Sequence, residues 1–331
     1  MQTRKLGSTG PQVAQLGLGL MGMSDFYGPA DRAESLATIH AALDAGVTLL
    51  DTGDFYGMGH NELLLREALA AGGRDQVQIS VKFGALRGPG GSWSGIDNRP
   101  VALRNYLAYS LQRLGVEHID IYRPARLDPN VPVEDTVGAL AELVQAGYIK
   151  HIGLSEVGSD TLRRAHAVHP IADLQIEYSL ISRGIEDGIL QTCRELGIGI
   201  TAYGVLSRGL ISGHWSAQRA GEADFRGASP RFQGDNLQHN LALVEKVRAI
   251  AAELGVSVAQ VAIAWVAAQG QDIVPLVGAR TRARLEEALG SAKVTLSPAD
   301  LERLAQAVPA GAAAGERYNA HSAATLDSEK R

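Results

Sequence analysis

Residues 47–82 read VTLLDTGDFYGMGHNELLLREALAAGGRDQVQISVK, and the order of parts in this stretch decides the fold. An apolar, β-branched run, Val47–Leu50, ends on Asp51. A Gly-containing turn leads to Asn61–Ala71, whose leucines recur at helical spacing and which Gly72 and Gly73 stop. A second short strand, Val77–Val81, ends on Lys82. No two-residue hairpin turn joins them, so each reads as a strand of a parallel sheet. The unit repeats outward. Upstream lie a strand over Leu16–Leu20 and a helix over Ala33–Ala45, closed by Gly46. Downstream, strands are predicted over His118–Tyr122, Ile152–Leu154, Ala172–Ile176, Ile198–Ala202 and Ile273–Val277. Helices are predicted over Val101–Leu114, Glu134–Gln145, Ser159–Ala167, Ile185–Leu196, Leu237–Leu254, Val258–Ala268 and Arg282–Leu289, with another after Ser297-Pro298. Strand and helix alternate at roughly 31 residues per repeat, which predicts a (β/α)8 TIM barrel. A doubly wound open sheet competes, but it ordinarily ends after about six strands. Thr3–Leu6 and Val13–Gln15, joined across Gly7, Gly10 and Pro11, predict an N-terminal β-hairpin. Phe83–Pro100 and Ser207–Gly234 read as long loops at the C-terminal face. Pro309–Arg331 has no periodicity and reads as a surface tail on a single domain spanning residues 1–331.

Composition agrees. The 331 residues carry 31 Lys and Arg against 36 Asp and Glu, a net charge of −5, which argues against nucleic acid or an anionic membrane as a partner. Cys193 is the one cysteine, so neither an intrachain disulfide nor a Cys-based metal cluster is available, and no metal is expected. No apolar run reaches about 18 residues and the N-terminus lacks a signal-peptide core, so a cytoplasmic monomer or homo-oligomer is expected. Glycine numbers 38 where about 7 %, or roughly 23, is usual. The excess falls at helix ends, in the long loops, and at Gly19, Gly22, Gly204, Gly209 and Gly278.

Barrel active sites lie at the C-terminal strand ends, occupied here by Gly19, Asp51, Lys82, Arg123, Ser155 with Glu156, Gln175, Tyr203 and Gly278. Any one of these alone reads as a solvated loop residue. Asp51 and Lys82 on adjacent strand ends read as a pair, because a buried charge needs a partner. Tyr56 follows Asp51 by enough chain to loop back over the mouth. A phenol titrates near pH 10, and a neighbouring ammonium lowers that value while Asp51 holds the lysine in place. Tyrosine as proton donor, lysine as tuner and aspartate as anchor suit protonation of a carbonyl oxygen, with the hydride coming from elsewhere.

These residues resemble the aldo-keto reductases. Asp51-Thr52, Tyr56-Gly57, Asn61-Glu62 and Lys82 are joined in order by Gly17–Met23, Ile152–Glu156, Gln175–Ser179, Arg208–Leu210 and Val277–Arg280 with Arg284–Glu287, covering Leu6 to about Leu304. The resemblance implies NADPH (or NADP) as cofactor and reversible reduction of an aldehyde or ketone to an alcohol, catalysed by Tyr56, Lys82 and Asp51. It implies that Ser155, Glu156 and Gln175 hold the nicotinamide carboxamide and that Tyr203 stacks on the ring. Gly204, Leu206, Ser207, Arg208 and Gly209 would wrap the pyrophosphate. Arg280 and Arg284 would meet the 2′-phosphate, with Gly19, Met21, Gly278 and Glu287 completing the groove. Ala288 replaces the family's asparagine at the adenine end.

The main departure is Ala125, which stands where the family carries a histidine after the fourth strand. Three outcomes follow: Arg123 or a water supplies the missing donor, the pocket is wider, or catalysis is crippled and the chain is an NADPH-binding sensor or regulatory subunit. The substrate pocket is expected from Phe26, Phe55, Trp93, Arg123 and Ala125, with Met23–Tyr27, Trp215 and Phe225 on its rim. Two other features are set aside. Gly17-x-Gly19-x-x-Gly22 matches a dinucleotide fingerprint as a string, but residues 24–29 intervene where a helix must open. His166 and His169 lack a third metal ligand. A Schiff-base aldolase built on Lys82 would need a neutral lysine, which Asp51 opposes.

Overall fold

The computed structural model describes residues 1–24, 26–215 and 225–330. Asp25 of the expected rim, residues 216–224 of the second long loop, the side chain of Phe225 and Arg331 lie outside the described residues. A short hairpin, β1 (Thr3–Lys5) with β2 (Gln12–Ala14), precedes the sheet. Eight strands then close into a parallel barrel: β3 (Gly17–Gly19), β4 (Leu49–Gly53), β5 (Gln78–Phe83), β8 (Ile119–Pro124), β9 (Ile149–Ser155), β10 (Ile171–Glu177), β11 (Gly199–Tyr203) and β12 (Ile273–Gly278), with β12 pairing back onto β3. The strands are buried along nearly their whole length, their polar residues included.

The hairpin seals the bottom. Leu6 and Val13 pack with Leu49, Ile121 and Val274 inside the barrel. Above this apolar layer the interior turns polar: Arg123, fully buried, donates to Asp173 Oδ2 at 3.0 Å and to Ser80 Oγ at 2.9 Å, and Thr201 Oγ1 donates to Asp173 Oδ2 at 2.5 Å. Gly153 makes room for the pair, since a Cβ there would stand 2.6 Å from Asp173 Oδ1 and 3.2 Å from Arg123 Cζ.

The helices follow their sequence signals. The first, α1 (Arg32–Asp44), starts where Asp31 accepts from the Glu34 N–H. Two more that pack on the outer layer, Val258–Ala268 and Pro298–Ala307, open with capping boxes at Ser257/Gln260 and Ser297/Asp300. Among the described residues no single helix is long and apolar enough to cross a membrane.

Two expectations are corrected. The Phe83–Pro100 loop contains a hairpin, β6 (Ala85–Arg87) with β7 (Trp93–Ile96), turned by Gly88–Gly91 and closed by Arg87 Nε donating to Gly91 O at 2.9 Å. The C-terminal tail is not a loose surface segment. It forms a turn of helix at Ala320–Ala323, buries Leu326, and places Asp327 at the start of the helix Ser159–Val168. There Asp327 Oδ2 accepts from Gly158 N at 3.0 Å and Thr161 Oγ1 at 2.7 Å, a cap supplied from far along the chain.

Candidate active site

Register puts the expected residues together. Gly19 pairs with Asp51, Gly53 with Lys82, and Lys82 with Arg123 across neighbouring strands, so their side chains share one end of the barrel. Asp51, 2 % exposed, is the hub. Lys82 Nζ pairs with its Oδ1, while Ser80 Oγ (2.8 Å) and Gln175 Nε2 (2.7 Å) donate to its Oδ2. Burial pulls the Lys82 ammonium below its ordinary range, and the Asp51 charge opposes that pull. Lys82 Nζ stands 5.2 Å from the centre of the Tyr56 ring.

Tyr56 is brought over the mouth by a turn in which Gly57 and Met58 both take positive φ, 55° and 51°. Its ring meets Phe55 edge-on at 4.8 Å and Phe26 at 6.1 Å. Trp93 of the unexpected hairpin stacks on Phe26 at 5.8 Å and lies 5.8 Å from Phe55. Ala125 packs against Phe55 and Tyr56. Phe26, Phe55, Trp93 and Ala125 therefore do form one wall beside Tyr56.

Arg123 does not join them. It points into the same barrel lumen as Ala125 but two residues earlier, hence about 6.6 Å deeper, where its pairing with Asp173 and Ser80 leaves it no exposed surface. It is a buried strut and cannot donate to a substrate. A second correction concerns Tyr56. Instead of being lowered by Lys82, its phenol is held well above its ordinary value, by burial first and the Asp51 charge second. Lys82 is spent on Asp51, and the leading cation that acts to lower the phenol is Arg126.

The opposite half of the mouth holds the residues expected to bind a dinucleotide. After β11 the chain turns through Gly204 (φ 65°), Ser207 (45°), Arg208 (58°) and Gly209 (95°), all at positive φ. Arg280 donates to Tyr27 O at 2.8 Å and closes the β3 loop against the β12 loop. Arg284 pairs with Glu287 at 3.1 Å, and His214 meets the same carboxylate at 2.9 Å. Gly19 and Gly278 end β3 and β12, and Met21 begins a 3-10 turn beside them.

Sequence reasoning missed the tail's part in this half. Arg317 reaches into the mouth, donating to Glu156 Oε2 at 2.5 Å, Glu156 Oε1 at 3.0 Å, Glu177 Oε2 at 3.2 Å and Glu329 Oε1 at 2.7 Å. Tyr203 Oη donates to Glu156 Oε1 at 2.7 Å and meets Tyr318 Oη at 2.8 Å. The Tyr318 ring lies under Arg208 at 4.3 Å. Glu156 also accepts from Ser328 Oγ (2.7 Å) and Glu177 N (3.0 Å), so both its oxygens are engaged within the protein. No periodic pattern flags such a latch; the one signal was a lone arginine-tyrosine pair in a segment otherwise rich in Ala and polar residues.

Burial alone would raise the Glu156 carboxyl, but the charge and hydrogen bonds of Arg317 outweigh it and hold the group down to about 2. Because the folded value lies below the unfolded one, the associated stability is present above about pH 4.5 and is lost as pH falls toward 2. Melting of wild type and Glu156→Gln should therefore differ most at neutral pH and converge in acid. A difference independent of pH from 6 to 3 would contradict the pairing.

His166 Nδ1 accepts from Ile171 N at 3.2 Å, His169 Nδ1 lies 2.9 Å from Pro170 O, and among the described residues no group of three or more candidate ligands converges. Cys193 is buried, its thiol pushed up to about 12 by burial, and so is inert packing.

A closed parallel barrel with its charged cluster at the C-terminal mouth defines a (β/α)8-barrel protein with its candidate site in the usual place. Residues 15–309 match the Aldo/keto reductase family. The chain is 42 % identical over 319 residues to the probable aldo-keto reductase 1 of Glycine max, covering 96 % of this chain and 92 % of that protein. It superposes on the glycerol dehydrogenase of Gluconobacter oxydans with a TM-score of 0.84 at 28 % identity, covering 93 % and 96 % of the two chains. A thermostable aldo-keto reductase solved with the inhibitor epalrestat gives a TM-score of 0.75 at 26 % identity, covering 93 % and 100 %. The chain belongs to the Aldo/keto reductase family, whose members are oxidoreductases of carbonyl compounds that use a nicotinamide cofactor.

Proposed function

We propose that this chain is an NADPH-dependent reductase of aldehydes or ketones, working reversibly, with Tyr56 as the proton donor. The grouping of Asp51, Lys82 and Tyr56 at one end of the barrel carries the reading. The residues present fit a dinucleotide: the turn Gly204–Gly209, whose Ser207 and Gly209 N–H groups donate within it, would form a cradle for a pyrophosphate, and Arg280 and Arg284 offer forks for a 2′-phosphate. Ser155 and Gln175 are left to meet the carboxamide, since Glu156 is taken up by Arg317 while the tail is docked. The bound cofactor supplies the hydride. The protein's part is to hold the substrate carbonyl against the Phe26–Phe55–Trp93 wall and keep a proton at Tyr56 Oη. The raised phenol remains protonated at neutral pH, the form a donor needs, and an alkoxide is basic enough to take that proton. Lys82 and Asp51 fix the charge beneath the phenol, and the tail and the aromatic wall exclude water.

Consumption of NADPH with a panel of aldehydes and ketones tests the activity; tight cofactor binding without turnover on any of them would favour a sensor. For the cofactor assignment, Arg284→Ala should weaken NADPH binding about tenfold or more and leave NADH affinity nearly unchanged. Equal effects on the two, measured by fluorescence titration, would refute the 2′-phosphate contact.

A further inference from the structure

The cations around the mouth differ in one respect. Lys82 is paired with Asp51, Arg123 with Asp173, and Arg317 with Glu156, Glu177 and Glu329. Arg126 adjoins Ala125 of the wall beside Tyr56, and its charge acts on Tyr56, Lys82 and Tyr203. Among the described residues its guanidinium has a single acceptor, the carbonyl of Ala125 at 2.6 Å, and no carboxylate as ion-pair partner. The nearest carboxylate by charge, Glu156, already accepts from Arg317, Tyr203, Ser328 and Glu177 N.

The position is rigid as well as unpaired. Ala125 N donates to Phe83 O at 2.8 Å, and Asn98 Nδ2 donates to the Arg126 carbonyl at 2.7 Å. Asn98 is itself buried and its N–H is held by Asp128 at 3.2 Å. The backbone of Arg126 is thus fixed from both sides, beside the wall formed by Ala125, Phe55 and Tyr56. A partly buried guanidinium held in place without an anion is a site prepared for one.

Topology separates this anion from those of a dinucleotide. The cradle follows β11 and the Arg280–Arg284 segment follows β12, whereas Arg126 follows β8, which lies directly across the barrel from β12 in the order β3-β4-β5-β8-β9-β10-β11-β12. Arg126 stands next to the strand of Lys82, on the proton-donor side.

We propose that Arg126 anchors a carboxylate on the substrate, so that the site is built for carbonyl compounds that carry a carboxylate group beyond the carbonyl being reduced. Its planar fork matches a carboxylate bidentately, and the aromatic wall of Phe26, Phe55 and Trp93 accommodates the apolar body between the two ends. The proposal rests on the reductase reading above.

Two readouts keep them apart. The first compares 4-formylbenzoate with its neutral methyl ester as substrates. Wild type should favour the carboxylate in kcat/KM by about tenfold to a hundredfold, mostly through KM. Arg126→Met should collapse that ratio to near unity, and Arg126→Lys should keep part of it. The ratio is the measure, because Arg126 also acts on Tyr56 and both absolute rates will change. A wild-type ratio near one, or a ratio unaffected by Arg126→Met, overturns the proposal. The second readout is binding of 4-methylbenzoate, which holds no reducible carbonyl, to the cofactor-free full chain by calorimetry. Saturable binding lost in Arg126→Met supports the anchor even if no aldehyde is turned over, in which case the reductase reading fails alone. Reduction of neutral aldehydes without any binding of 4-methylbenzoate leaves the reductase standing and removes the anchor. Melting curves of both variants establish that each is folded, and the wild-type ratio stands as a test even if one is not.

Discussion

Tyr56→Phe is expected to lower kcat for carbonyl reduction by about 10²–10⁴-fold, the range that a positioned proton donor contributes. The substitution removes one hydroxyl and keeps the ring, so the edge-on contacts with Phe55 at 4.8 Å and Phe26 at 6.1 Å persist. Cofactor affinity should stay within about twofold and the melting temperature should change little, which separates lost chemistry from lost structure. The upward shift of the phenol adds a pH signature. Since the group is held well above its ordinary value, its proton is present throughout the neutral range, and reduction should show no decline from Tyr56 titration below about pH 10. Stopped-flow measurement of the reduction step in wild type and variant checks both. Activity of Tyr56→Phe within a few fold of wild type would sink the mechanism. The residual rate should reflect a substrate that is still positioned but whose oxygen must find its proton from a source other than Tyr56.

The barrel and the Asp51–Lys82–Tyr56 cluster were legible in the sequence for one physical reason. Parallel strands buried on both faces are mostly apolar, and a charged residue at the end of one marks the barrel rim. Asp51 follows Leu50 and Lys82 follows Val81 directly, and the two meet as expected. Arg123 shows the limit of that rule. It also follows apolar residues, yet β8 continues to Pro124, so the arginine lies one layer inside the rim and is used to fill the lumen. Counting in twos from Ile121, which packs at the barrel bottom, would place Arg123 below Ala125; what the sequence did not contain was where the strand ended. The tail was illegible for a different cause. Its fold is held by side chains that find partners far along the chain, Arg317 on Glu156 and Asp327 on Gly158, and such contacts leave no local period. The hairpin in the first long loop was hidden by its own shortness, with two strands of three and four residues around a Gly-Pro-Gly-Gly turn. Arg126 was overlooked because an arginine beyond a strand end normally reads as solvated, and only the full occupancy of Glu156 reveals that it has no carboxylate.

Arg317→Ala is expected to have the largest effect on stability, because it strands two carboxylates that are almost wholly buried. The Glu156 and Glu177 side chains are 0 % and 5 % exposed, and removing one partner from a buried ion pair typically costs about 3–5 kcal/mol. Two routes compete. If the tail stays docked, the full penalty falls on the folded barrel, and at about 2–4 °C per kcal/mol the melting temperature drops by roughly 6–20 °C. If the tail lifts, water reaches Glu156 and Glu177, and the cost is capped at the free energy that docked the tail. The second route should win, since Arg231 remains near Glu177, with its Nη1 3.8 Å from Oε1, and the release is local. It has a defined extent. Asn240 holds Ala314 through hydrogen bonds of 2.8 and 2.9 Å, so the detached piece should begin after Gly315. Subtilisin should then cut wild type slowly and the variant at least about tenfold faster between residues 316 and 330, leaving the barrel intact. Adding Glu156→Gln to Arg317→Ala removes one of the stranded charges, and the double variant should be more stable than the single. A double variant that loses the sum of the two single effects would mean that Arg317 and Glu156 act independently, and the latch would have to be sought elsewhere in the tail.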